Sequence, residues 1–433
     1  MSNDEADATA ARFPSDAGSA LADGERVVDA LLSESHGTAL HELPALLARY
    51  ADMLGAADAV AYLADLQQKV LVPFLGVSGP ALNQQADPLS IDSTLAGRCF
   101  QHVEVLSQHL KASDAGARVW LPLLNGSERL GVLAVSIADP GALDADGGPL
   151  GVRLRLFASL AAELIMTKAL SGDTIVRLRR RAEMGLAAEM QWSLLPPLTF
   201  ASDQVSIAAA LEPAYQVAGD SVDYAVDAGR ACFAVFDGMG HSLRSAQLAT
   251  VAVAAYRNSR RAGRSLSDVA QHVDAAVSEA FDGEAFTTAV LAELDSDTGV
   301  LSWVSAGHPQ PLLLRDGRMI KQLTVDPGLP LGLSVDLAGG TGDYPVGAEQ
   351  LEAGDQILLF SDGVTEARSP SGEFFGLSRL TDLLSRTIGA GLPASESIRR
   401  LVHALLEHQQ DLLTDDATLL LAEWRAAHMI PDP

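Results

Sequence analysis

The run Ala231–Gly240, ACFAVFDGMG, constrains this chain more than any other stretch. The apolar residues from Ala231 to Phe236 read as a buried strand, and Asp237, followed by two glycines in three positions, makes it stop and turn. A carboxylate at a strand end is held by the sheet, while Gly238 has no side chain to keep its carbonyl from a cation. The same decapeptide also suits a plain strand-to-turn junction in which Asp makes local hydrogen bonds. Its company weighs towards a metal site. Asp220 and Asp223 lie upstream in VAGDSVDY, Asp362 and Gly363 end the apolar run QILLFSDG, and Asp415 and Asp416 open DDATLLLAEW. Three hydrophobic strands therefore each carry an Asp at one end.

A chain of 433 residues with 48% hydrophobic content has enough apolar mass for two to three domains. A net charge of -26 repels phosphate backbones and anionic lipid, so nucleic acid and membrane surfaces are excluded as partners. Cys99 and Cys232 stand apart and form no metal or redox motif, as expected of buried thiols in a reducing compartment. Residues 1–24 are small and acidic, without the basic start and apolar centre of a signal peptide, and are expected to form a loose tail, like residues 426–433. No uncharged apolar run reaches the length of a membrane span, and a cytoplasmic protein is expected.

From Arg26 the apolar spacing becomes helical, through Leu31, Leu43, Leu47 and Leu54, and short strands follow at AVAYLA and KVLVPFLG. RVWLPLLNG and RLGVLAVSI flank Asn125 and Gly126 as a hairpin, with Pro122 expected at an edge, and a helix closes the segment over Leu154–Leu170. This order, and the phrase WLPLLNGSERLGVLAVS, resembles a GAF domain over residues 25–168. Such a resemblance implies a sensor with a small-molecule ligand on its sheet, or one that serves only as a dimer platform. The stretch from Ala81 to His109 carries no cofactor signature, and His102 and His109 read as isolated histidines.

Residues 169–200 read as a helical linker. Ile175, Leu178, Ala182, Leu186 and Met190 recur every three or four positions from Thr174 to Leu195, and Pro196 and Pro197 end the run. A continuous helix is expected there, packed either on its own domain or as a parallel coiled coil in a homodimer. Residues 201–425 then alternate strands and helices as one α+β unit, a β-sandwich with helices on its outer faces.

In this unit AGDSVDY, DGMGH, TTAVLAELD, SAGHPQPLLL, LPLGL, FSDGVTEA and DDATLLL occur in the order and rough spacing of the PPM metal-dependent protein serine/threonine phosphatases. They are most similar to the bacterial stage II sporulation protein E branch. That resemblance implies two Mn²⁺ or Mg²⁺ ions bridged by Asp237, with the Gly238 carbonyl on one and Asp362 and Asp415 completing the other. It also implies that Asp220 binds metal directly or through water. All-oxygen donors suit these hard cations. The substrate class it implies is a phosphoserine or phosphothreonine on a STAS-type antagonist of an anti-sigma factor.

The chain departs from the family at Ala218, Ser221, Val222 and Met239. Roles for Asp223, Asp416, His241 and His308 stay open, and the proton donor is unassigned. Two rival readings remain: a pseudophosphatase scaffold that binds a partner without hydrolysis, and a small-molecule phosphohydrolase.

Overall fold

The computed structural model describes residues 26–76, 87–110, 116–143, 148–213, 215, 219–240, 243–333, 342–410 and 415–426. The expected tail at 1–24, that at 426–433 apart from its first residue, Ala218, His241 and residues 81–86 of the suggested ligand stretch lie outside them. The chain divides into two compact units, the first holding residues up to Asn125 and Arg129–Arg181, the second the rest.

In the first unit, helices α1 (26–35) and α2 (Leu43–Met53) precede strands β1 (Ala57–Ala64), β2 (Val70–Phe74) and β3 (Leu89–Ser90). Helix α3 (Leu95–His102), strands β4 (Leu106–His109), β5 (Ala117–Asn125) and β6 (Glu128–Ile137), and helices α4 (Pro149–Ala169) and α5 (Thr174–Arg179) follow. The strands form one sheet in the order β3-β2-β1-β6-β5-β4. β6 is central and almost wholly buried, whereas β5 alternates between buried and half-buried residues. Pro122 is accommodated because the partner strand β4 pairs with β5 only as far as Trp120, leaving no ladder on that side for a missing N–H to break. The main core joins Leu43, Leu47, Phe74, Phe157 and Ile165, and a smaller one sets Cys99 and Phe100 of α3 against Leu71 and Val132. A sheet with helices on both faces is consistent with the GAF-like expectation. His102 ends α3 and His109 ends β4; neither belongs to a group of three metal-ligating side chains among the described residues.

The second unit opens with α6 (Leu186–Leu194), β7 (Thr199–Ala201), β8 (Val205–Glu212), β9 (Asp220–Asp227) and β10 (Arg230–Gly238). Helices α7 (Leu243–Arg261) and α8 (Leu266–Phe281) come next, then β11 (Thr287–Asp295), β12 (Val300–Ala306), β13 (Leu312–Arg315), β14 (Arg318–Gln322), β15 (Gly347–Gln350) and β16 (Gln356–Phe360). The unit ends with α9 (Asp362–Thr365), α10 (Gly376–Gly389), α11 (Ala394–His408) and β17 (Ala417–Trp424). Two sheets result, β15-β12-β11-β10-β9 and β14-β13-β16-β17-β8-β7. Phe233, Val235, Val290 and Trp303 of the first face Leu313, Leu359 and Leu420 of the second across a shared core. Helices α7 and α8 cover the outer face of the first sheet, and α10 and α11 that of the second. This is the expected sandwich. The DG pair at Asp316 and Gly317 turns β13 into β14 with φ of 49° and 71°, the doubly left-handed conformation that a two-residue hairpin needs.

The continuous linker helix is not observed. Helix α5 stops at Arg179, Arg180 is extended at φ -85° and ψ 133°, and α6 begins after Gly185, itself extended at the helix start. Ile175 and Leu178 are buried in the core of the first unit, whereas Leu186 is 65% exposed. Apolar periodicity spans the break, but tertiary burial claims only its first turns. Leu178, Leu186 and Met190 therefore form no single seam, and the coiled-coil basis for a homodimer is lost. Among the described residues no helix is long and apolar enough to cross a membrane.

Candidate active site

The side-chain parity of strands places the acids. In β9, Asp220 shares a face with Val222, which lies in the inter-sheet core, and Asp220 stands directly across from Asp237 of β10. Asp223 is three residues on and so points outward, where Arg257 and Arg260 of α7 hold it at 2.6 and 3.0 Å. Asp223 is thus held in a buried ion pair on the face opposite Asp220. The second sheet supplies the remaining acids: Ser361 follows β16 and donates its N–H to the Thr418 carbonyl, which brings Asp362 beside the start of β17 and hence beside Asp415 and Asp416.

Asp415 and Asp416 have different surroundings. Asp416 is buried, and its Oδ2 accepts from the N–H groups of Gly219 at 2.7 Å and Asp220 at 3.2 Å, so it clamps the start of β9 from the opposite sheet. Asp415 is exposed. Two glycines permit the close approach. A Cβ on Gly219 would lie 2.1 Å from the Gly238 carbonyl oxygen, and one on Gly363 would lie 1.9 Å from that of Asp416. Only glycine fits at either place.

The electrostatics are those of a cluster short of positive charge. Burial, and then the charges of Asp362 and Asp415, push the Asp237 carboxyl up to about 7. Burial and the charges of Asp237 and Asp416 raise Asp220 well above the carboxylate range, only partly offset by the Ser361 and Thr418 hydroxyls. Burial and Asp415 raise Asp362 too. Asp220 Oδ2 is buried without a hydrogen-bond partner. An orphaned carboxylate oxygen among mutually repelling all-oxygen donors fits hard divalent cations. Among the described residues no three acidic, His or Cys side chains close around one point, so the acids form no finished cage.

The surroundings of His308 speak against a role as proton donor. The residue is 5% exposed, and burial drives its pKa down to about 3, so it stays neutral at physiological pH. Because the unfolded chain protonates this imidazole near its ordinary value and the folded chain resists, His308 favours unfolding increasingly as pH falls from about 6.5 towards 3. Replacing it with Asn should flatten the pH dependence of stability there by up to about 1.4 kcal/mol per pH unit, measured as the difference from wild type in urea melts. An unchanged slope would contradict a buried neutral ring. Met239 is 44% exposed and offers no proton.

Thr288 was not singled out in the sequence, although it pairs directly with Asp237 across β10 and β11 and places its hydroxyl 2.8 Å from His308 Nδ1. Alternation in TTAVLAELD carried the signal, since Thr288 shares a face with the core residues Val290 and Ala292.

Residues 227–425 match the family model described as Stage II sporulation protein E (SpoIIE). Those residues form a phosphatase domain of the SpoIIE family, within the PPM class of serine/threonine phosphatases. Phosphoserine phosphatase RsbU of Bacillus subtilis (strain 168) is 29% identical over 242 residues, which cover 56% of this chain and 70% of that protein. Among solved structures, the RsbU and RsbW domains of a Mycobacterium tuberculosis protein align at 26% identity and a TM-score of 0.44, covering 53% of this chain and 63% of that one. The SiaA-PP2C domain of Pseudomonas aeruginosa aligns at 23% identity and a TM-score of 0.46, covering 55% of this chain and 94% of that one.

Proposed function

We propose that this phosphatase hydrolyses a phosphoserine or phosphothreonine on a STAS-type regulatory protein, under the control of its GAF-like first unit. The observation that carries the hydrolytic reading is the convergence of Asp220, Asp237, Asp362 and Asp415 from both sheets on one end of the sandwich, where burial and mutual repulsion leave the carboxyls of Asp220, Asp237 and Asp362 short of countercharge. Asp237, the Gly238 carbonyl, Asp220, Asp362 and Asp415 would hold two Mn²⁺ or Mg²⁺ ions. Bound there, such ions would lower the pKa of a water and neutralise the phosphoryl group it attacks. The chain supplies the frame. Thr287 Oγ1 donates to the Asp237 carbonyl at 2.9 Å and fixes the backbone at the strand end, and Asp416 fixes that of Asp220. The similarity to a phosphoserine phosphatase supports the substrate class. Both thiols are buried, and burial pushes Cys99 up to about 12, in keeping with a reducing, cytoplasmic setting and with hydrolysis that needs no cysteine nucleophile.

Control by the first unit has a physical route within the second. Arg257 donates to the Leu194 carbonyl at the end of α6, and the same guanidinium holds Asp223, three residues along β9 from Asp220. A shift of α6 would therefore pull on the strand that carries Asp220. Arg257→Met should lower kcat by roughly tenfold with the acids intact, because Asp223 keeps only Arg260. Unchanged turnover would show that α6 is not coupled to the site. A ligand on the first unit is part of the same reading, whereas no dimer is.

Recognition of an acidic phosphoprotein by a chain of net charge -26 gains nothing from overall attraction. Moving from low to physiological salt should change kcat/KM by less than about tenfold, and a hundredfold fall would contradict local recognition. Side-by-side turnover of a phosphorylated STAS-type protein and p-nitrophenyl phosphate tests the substrate class. Preference for the protein supports it, preference for the ester favours a small-molecule phosphohydrolase, and binding without turnover a pseudophosphatase.

A further inference from the structure

Two observations single out the Thr288–His308 pair behind Asp237. Thr288 is half-buried like Asp237, stands directly opposite it in the ladder, and so projects to the same inter-sheet face. His308 Nδ1 lies 2.8 Å from the Thr288 hydroxyl, and the same ring interacts with the main chain of Phe360, the last residue of β16 and two before Asp362. The ring thus has a neighbour in each sheet: Thr288, directly opposite Asp237 in the ladder, and the main chain of Phe360, two residues before Asp362. The main-chain carbonyl of His308 accepts from Ser305 Oγ at 2.9 Å, which anchors the turn beyond β12.

The chemistry of a neutral imidazole fixes the direction of these bonds, since one nitrogen carries the proton and the other accepts. With Nδ1 on the Thr288 hydroxyl, the buried Nε2 is the nitrogen left over and makes no well-formed hydrogen bond, and the Phe360 main chain acts on the ring in the sense of an acceptor. A proton on Nε2 is the arrangement that suits a carbonyl there, and it leaves Nδ1 as an acceptor. The Thr288 hydroxyl must then donate to Nδ1, which turns its two lone pairs away from the ring.

We infer that His308 and Thr288 are positioning residues: His308, as the neutral Nε2–H tautomer, struts the two sheets apart at the acids and presents the Thr288 oxygen as an acceptor beside Asp237, where it orients the attacking water. This rests on the hydrolytic reading above for the role of the water, but not for the hydrogen-bond directions. Valine is isosteric with threonine and lacks the acceptor, whereas serine retains it.

Two measurements test the inference. With Mn²⁺ and p-nitrophenyl phosphate, Thr288→Val should lower kcat by roughly tenfold or more with KM within about twofold, and Thr288→Ser should recover most of it. The Thr288→Val/His308→Asn double variant should be no worse than the weaker single variant by more than about threefold, because both remove one interaction. Near-normal kcat for Thr288→Val, or losses that multiply, would overturn the proposal. Nitrogen-15 spectra of histidine-labelled, metal-free chain should show His308 protonated at Nε2 alone, with its Nδ1 resonance displaced in Thr288→Val. An Nδ1–H tautomer, or an Nδ1 resonance indifferent to Thr288→Val, would equally overturn it. A wild type inactive on every ester would remove the hydrolytic reading while leaving the tautomer result standing.

Discussion

Asp237→Asn should abolish Mn²⁺-dependent hydrolysis, by at least about a thousandfold, and at the same time make the metal-free protein more stable. Both effects have one cause. The carboxyl is half-buried and surrounded by Asp220, Asp362 and Asp415, so its charge repels its neighbours until a cation arrives. The pH dependence carries the sign. Folding raises this carboxyl from its ordinary range to about 7, so the folded chain binds the proton more tightly and the unfolded chain ionises first as pH rises from about 4. Wild-type stability is therefore undiminished by this group below about pH 4 and is progressively lost up to about pH 7. The stabilisation by Asp237→Asn should be negligible at pH 4 and reach a few kcal/mol at pH 8, read from urea melts in EDTA. Asp362→Asn should follow the same pattern more weakly. A variant that loses activity together with stability at pH 8 would show that Asp237 is a structural residue instead.

The second large effect concerns the broken linker. Leu178 has no exposure and packs in the core of the first unit with Ile175 and Leu154. Leu178→Glu should destabilise that unit by roughly 4 kcal/mol or more, because it removes an apolar side chain and leaves an unpaired carboxylate in its place. Leu186→Glu, at a position 65% exposed, should change stability by less than about 0.5 kcal/mol. Thermal melts followed by circular dichroism distinguish these outcomes from those of one continuous helix, in which the two substitutions would act alike. Equal effects would restore the single seam.

The same contrast shows what the sequence carries and what it does not. Strand ends at Asp237 and Asp362 were legible because apolar runs broken by Asp-Gly leave the chain no choice but to turn. The helices after Gly240 and the DG hairpin at Asp316 were legible for the same reason: their signals are local. Arg180–Gly185 was misread because periodicity reports which residues are apolar, not which of two surfaces claims them. Gly185 was a visible signal of the break, since an extended glycine opens α6. Asp223 was assignable in part, because three residues separate it from Asp220 and a strand must send the two to opposite faces. Its arginine partners were not, since Arg257 and Arg260 are brought to it only by the packing of α7 on the sheet. The choice between Asp415 and Asp416 likewise needed three dimensions: what distinguishes them is the pair of N–H groups from β9 that Asp416 accepts.

The hydrolytic claim is tested most directly by phosphate release from a phosphoserine-bearing STAS-type protein, using purified chain with Mn²⁺, with EDTA, and with Asp237→Asn in parallel. Release with Mn²⁺ that falls to background both with EDTA and in the folded Asp237→Asn variant is the predicted result. Release that survives EDTA, or none from a folded wild type saturated with Mn²⁺, would contradict it.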